Sequence, residues 1–160
     1  MNRRVYLETS VISYLTARPS KTIIGAAHQQ ITSAWWDKRA DYDLFVSELV
    51  LREYAAGDPD AAQRRFKIIE SIPSLVVTEE SYQLADNFLK KEIIPAKAAE
   101  DSLHIAIATI HSVDYLLTWN CKHIANPELQ RKIMDYLSEK GQFLPFICTP
   151  EELLGEEDGN

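Results

Sequence analysis

The 160-residue chain has no run of about 18 apolar residues, so no transmembrane helix is expected. It carries two cysteines, Cys121 and Cys148, whose spacing suits neither a zinc site nor a disulfide framework. Reduced thiols in a cytoplasmic protein are the simplest expectation. Arg3 and Arg4 give a basic start, but Glu8 interrupts what would be the apolar core of a signal peptide. The glycines, Gly25, Gly57, Gly141, Gly155 and Gly159, stand alone. A dinucleotide or nucleotide enzyme needs a glycine-rich turn after an early strand, and none is present. Positive charge is scarce: 17 Lys and Arg against 24 Asp and Glu leave a net charge of −7. That argues against broad, non-specific binding of nucleic acid, though not against a local basic rim around an acidic site. No internal repeat or interdomain linker is visible.

What remains is ordinary for one soluble globular domain, with 46% hydrophobic and 26% charged residues. The domain is expected over residues 1–154, with "GEEDGN" at 155–160 as a frayed tail. Strand-like and helix-like stretches alternate. Val5–Leu7, Leu44–Ser47, Ser74–Thr78, Asp114–Trp119 and Phe146–Thr149 read as strands. Helices are expected over Ser10–Thr16, Thr22–Lys38, Glu48–Ala56, from Pro59 behind an Asp58 cap, over Ser81–Lys90, from Pro95 to His111, and from Pro127 to Gly141 behind Asn126. Five strands alternating with helices predict an α/β fold with a mainly parallel sheet.

In such a fold ligands bind beyond the carboxyl ends of the strands. Glu8 follows the first strand there, and Asn120 follows "YLLTW". A carboxylate at that handover is costly unless a donor or a cation meets it. The helix after the second strand carries two acids that helical phase separates. Glu48 lies in the first turn, four residues before Arg52, an exposed arrangement. Glu53 shares a face with Leu49 and Val50 and needs a partner there, either a metal site or a buried ion pair with an arginine. Asp101 lies in "AAEDSLHIAIATI", apolar almost all round, on one stripe with His104 and Ile105. It reads either as a site residue or as a core group satisfied by a Ser or His. Glu100 points about 100° away, toward solvent. Three converging carboxylates repel one another unless a divalent cation joins them, and an all-oxygen set suits Mg²⁺ or Mn²⁺.

"YLETSVISYL", "SELVLREYAAGD", "AEDSLHIAIA" and "DYLLTWN", in this order, resemble the motifs of PIN-domain nucleases, particularly the VapC toxins of type II toxin–antitoxin pairs. The resemblance spans about Val5 to Ile124. It implies a three-layer α/β/α sandwich, metal-dependent cleavage of RNA, a small antitoxin as partner and a homodimer. By position, Glu8, Glu53 and Asp101 match the family's acids, and Asn120 stands where a fourth acid is common. Two departures stand out. The family usually has Asp where Glu8 lies, and Asn120 is neutral. Relatives that carry Asn there place Asp three residues on, where this chain has His123. A second metal site is therefore expected to be weakened.

Thr9 and Ser10 read as helix caps, and the resemblance adds a role in orienting the acids or a phosphate. Lys122 and His123 offer charge to a phosphate or form an ordinary solvated loop. His104 reads as a packed, hydrogen-bonded helix residue. The competing function is a PIN-like module that binds RNA or a protein without cutting. Trp35 and Trp36, adjacent on one helix, serve either a dimer or antitoxin contact or the edge of the core.

Overall fold

The protein is described from a computed structural model covering residues 2–155. The expected frayed tail, 155–160, lies outside the described residues beyond Gly155. Five strands form one sheet: β1 (Arg3–Leu7), β2 (Tyr42–Ser47), β3 (Ser74–Leu75), β4 (Tyr115–Leu117) and β5 (Phe146–Cys148). Their order is β3-β2-β1-β4-β5, and every pairing is parallel. Val5, Tyr6 and Leu7 of β1 are buried on both faces, as a central strand covered by helices on either side must be.

The helices are α1 (Thr9–Thr16), α2 (Ile23–Trp36), α3 (Glu48–Ala55), α4 (Pro59–Ile69), α5 (Glu79–Lys90), α6 (Ala99–Ile110), α7 (Pro127–Ser138) and α8 (Pro150–Leu154). Most begin on a side chain that accepts an otherwise unpaired N–H: Thr22 caps α2, Ser47 α3, Asp58 α4, Thr78 α5 and Asn126 α7. Residues Ser102 to Thr109 of α6 are all buried, which accounts for its nearly uniform apolar character. Among the described residues no helix is long and apolar enough to cross a membrane.

Several elements differ from expectation, among them the fourth strand, which spans Tyr115–Leu117 rather than Asp114–Trp119, and α7, which ends at Ser138 rather than Gly141. The third strand stops at Leu75, because Thr78 is taken as the cap of α5 and the Val77 N–H goes to the Glu48 carboxylate. The helix expected from Pro95 begins as a single 3₁₀ turn, Ala96–Ala98, before α6 proper. Helix α8 was not expected. It is held by a capping box in which Thr149 and Glu152 satisfy each other's backbone N–H, and it packs on α2. Trp35 is buried against Tyr42, and Trp36 is half-buried beneath the Arg39 guanidinium, 4.6 Å from its ring centre. The pair wraps the edge of the core.

The chain leaves β1 toward β2 on one side and returns as β4 on the other. The sheet order thus reverses between β1 and β4, and in open parallel sheets ligands bind beyond the carboxyl ends of the strands at such a reversal.

Candidate active site

Glu8 lies at that edge, directly after β1. Its backbone N–H still belongs to the sheet, donating to the Leu117 carbonyl at 3.0 Å. Its side chain has turned to cap α1. Glu8 Oε1 accepts from the Ser10 N–H at 3.1 Å, the Ser10 hydroxyl at 2.5 Å and the Thr118 hydroxyl at 2.7 Å. The residue is only 6% exposed, so these bonds carry most of the compensation for burying a charge. Ser10 Oγ also accepts the Trp119 N–H at 2.9 Å, and Thr118 Oγ1 the Asn120 N–H at 2.9 Å. The two hydroxyls therefore lock the start of α1 to the loop after β4.

Glu53 reaches the same edge from α3. Its Oε1 accepts from the Thr9 hydroxyl at 2.5 Å and from His104 Nε2 at 2.8 Å. The expected ion-pair partner was an arginine; the structure supplies His104 from α6. His104 is buried, and its other nitrogen, Nδ1, lies 2.7 Å from the Tyr6 hydroxyl. That hydroxyl in turn lies 2.7 Å from Ser47 Oγ, the cap of α3. Burial pushes the Glu53 carboxyl up, but the His104 hydrogen bond and charge, with the Thr9 bond, bring its pKa below the ordinary value. Burial pushes the His104 imidazole down, and the Glu53 bond together with the charges of Glu8, Glu53 and Asp101 raises it above its ordinary value. The protonated ring donates through both nitrogens. One buried histidine thus feels all three acids.

Asp101, in the first turn of α6, pairs with His123, with Nδ1 to Oδ2 at 3.3 Å. Asn120 Oδ1 accepts the His123 N–H at 3.0 Å, so the Asn120 side chain shapes the loop that carries His123. His123 therefore lies against an acid, and Lys122 beside it is exposed. Sequence reasoning missed Glu100. Although exposed, its carboxyl meets that of Glu53, which raises the Glu100 pKa through the shared hydrogen bond. Helical phase alone set Glu100 apart; contact with α3 brings it back. Glu48 is exposed, as expected, and shares a groove with Arg52 and Tyr82, but its carboxylate takes the Val77 N–H at 2.6 Å.

Each of the three acids is anchored through one oxygen. No N–H or hydroxyl of a described residue reaches Glu8 Oε2 or Asp101 Oδ1, while Glu53 also meets the Glu100 carboxyl. Carboxylates with an oxygen left open fit a hard divalent cation chemically. They do not yet form a cage: among the described residues no three His, Cys, Asp or Glu side chains stand together as a metal site. Each acid is turned toward its own donor.

No family profile matches the chain, and no curated protein matches it by sequence. By structure it is similar to VapBC2 from Rickettsia felis, solved bound to a DNA fragment from its promoter. The TM-score is 0.58 at 15% identity, over 91% of this chain and 98% of that one. The fold is a PIN-like α/β sandwich on a five-stranded parallel sheet.

Proposed function

We propose that this chain is a metal-dependent endoribonuclease, the toxin of a toxin–antitoxin pair. The observation that carries the reading is the arrival of three acids at the carboxyl edge where a PIN-like sheet reverses order: Glu53 bound to Thr9, Glu8 to Ser10 and Thr118, and Asp101 to His123 of the loop after β4. Glu8, Glu53 and Asp101 would hold Mg²⁺ or Mn²⁺, with Asn120 contributing its carbonyl oxygen or a water. The bound cation supplies a polarised phosphoryl oxygen and an acidified water.

The remaining work falls to the chain. Thr9 and His104 hold Glu53 in place, and Ser10 and Thr118 hold Glu8. Asp101 Oδ1 receives the proton of the attacking water. Thr9, Ser10, Lys122 and His123 line the approach of the RNA phosphate. A small antitoxin is the regulating partner, a reading supported by the likeness to a VapBC complex; a cytoplasmic homodimer completes the proposal.

The test is cleavage of a mixed single-stranded RNA pool against Mg²⁺ concentration. The wild type cuts only with metal, and Asp101→Asn or Glu53→Gln abolishes cutting. Asn120→Asp, which restores the missing charge, lowers the Mg²⁺ needed for half-maximal rate. A natively folded, antitoxin-free wild type that cuts no RNA overturns this in favour of a non-catalytic binding module. Cutting that persists in Asp101→Asn places the chemistry elsewhere.

A further inference from the structure

Beside the acids stands a second preassembled group that the proposed chemistry does not use. His28 of α2 and Trp119 of the loop after β4 are stacked, with ring centres 3.9 Å apart and planes 15° apart. Tyr14 of α1 is nearly perpendicular to both, 5.4 Å from His28 and 6.1 Å from Trp119, and its hydroxyl lies 3.3 Å from His28 Nδ1. A ring lying over the outer face of His28 would be far more distant from Trp119 than from His28. Tyr14 is nearly equidistant, so it braces the side of the stack rather than lying over the His28 face. Trp119 cannot rotate freely, because its Nε1 donates to Thr32 Oγ1 at 2.8 Å, and Thr32 is fully buried. All three rings remain half-exposed.

The position is as informative as the geometry. Trp119 precedes Asn120, and its N–H donates to the Ser10 hydroxyl that in turn donates to Glu8. A flat, partly exposed aromatic stack whose Trp119 shares the Ser10 hydroxyl with Glu8 suits an unpaired base next to a cleaved phosphate. Stacking also compensates for the scarcity of cations in a chain of net charge −7, since it holds RNA without phosphate contacts.

We propose that the Trp119–His28 stack, braced by Tyr14, is a nucleobase subsite that seats one unpaired base of single-stranded RNA adjoining the scissile phosphate. The inference rests on the nuclease reading above. It makes the enzyme dependent on a base at one position relative to the cut, with little preference among bases, because every base offers a π-face.

The test pairs protein variants with RNAs that lack single bases. Wild type, Trp119→Leu, Trp119→Phe and His28→Ala are assayed for Mg²⁺-dependent cleavage of RNAs with one abasic nucleotide at successive positions, and for binding of the same labelled RNAs by anisotropy. Melting temperatures confirm folding, and His28→Ala leaves the Thr32 bond intact should Trp119→Leu fail to fold. At one position the abasic change slows wild type on the order of tenfold. Trp119→Leu or His28→Ala slows cleavage of intact RNA similarly, and the combination adds nothing further, while Trp119→Phe, which keeps a ring but loses the Thr32 bond, is slowed less than Trp119→Leu. Equal abasic penalties in wild type and in Trp119→Leu or His28→Ala would overturn the subsite and leave the rings a packing seam between α2 and β4. A wild type whose binding is base-dependent through the stack, but which cuts nothing, supports the subsite and overturns the nuclease. A wild type that neither binds nor cuts overturns both.

Discussion

Thr118 shows how much of the site depends on one hydroxyl. It is buried, donates to Glu8 and accepts from the Asn120 N–H. Thr118→Val keeps the shape but leaves a buried carboxylate short of a donor and an N–H without an acceptor. A loss of about 1–3 kcal/mol is expected from the denaturation midpoint, with most of it retained in Thr118→Ser. His104 and Glu53 make a pH-dependent pair. The His104 pKa is raised above 6.5 in the fold, so its stabilisation is complete below 6.5 and fades as pH rises through the folded value. The Glu53 pKa is lowered below 4.5, so its stabilisation is complete above 4.5 and fades as pH falls through the folded value. Between those two ordinary values the pair contributes most. In chelator, the difference in Tm between wild type and His104→Gln should therefore be largest between those two values and shrink as pH rises above 6.5. A constant difference would mean that folding leaves the histidine's titration unshifted, and one that grows with pH would mean that the folded ring is neutral.

At the scale of elements, the first turn of α1 and the loop after β4 act as one clamp, and α8 closes the far side of α2. Helix α8 has only five residues, so its own propensity contributes little and the Thr149–Glu152 box decides whether it forms. Thr149→Ala should cost about 0.5–2 kcal/mol and raise amide exchange in α8 and the facing turn of α2, while Thr149→Ser stays near wild type. Unchanged exchange in Thr149→Ala would show that packing on α2 alone suffices.

For the whole molecule, charge is the governing quantity. A chain of net charge −7 that brings three acids to one sheet edge gains from any cation bound only in the native state. Mg²⁺ at about 100 times its dissociation constant should stabilise the protein by roughly 2.7 kcal/mol, seen as a rise in Tm. Asp101→Asn should remove most of that rise. Its metal-free Tm should change little or increase, because the repulsion it relieves offsets a half-exposed pair with His123 that is worth about 0–1 kcal/mol. A metal-dependent rise that survives the substitution would place the cation elsewhere.

What the sequence determined by itself is local. The β-prone runs, the caps before helices and their alternation specify an α/β fold. The phase of α3 separates Glu53, facing the edge, from Glu48, facing solvent, since both depend only on neighbours within a turn. Even locally, a short segment such as 74–78 reads as a longer strand, because pattern does not reveal that Thr78 is claimed by the next helix. Only the tertiary structure decided the partners. That Glu53 meets His104, that Asp101 meets His123, that Glu100 returns to the acids and that His28 stacks on Trp119 all follow from the order β3-β2-β1-β4-β5 and its register. Those contacts join residues far apart in the chain. They exist because burying both faces of β1 brings α1, α3, α6 and the loop after β4 to one edge, and no periodicity within a single element encodes that convergence.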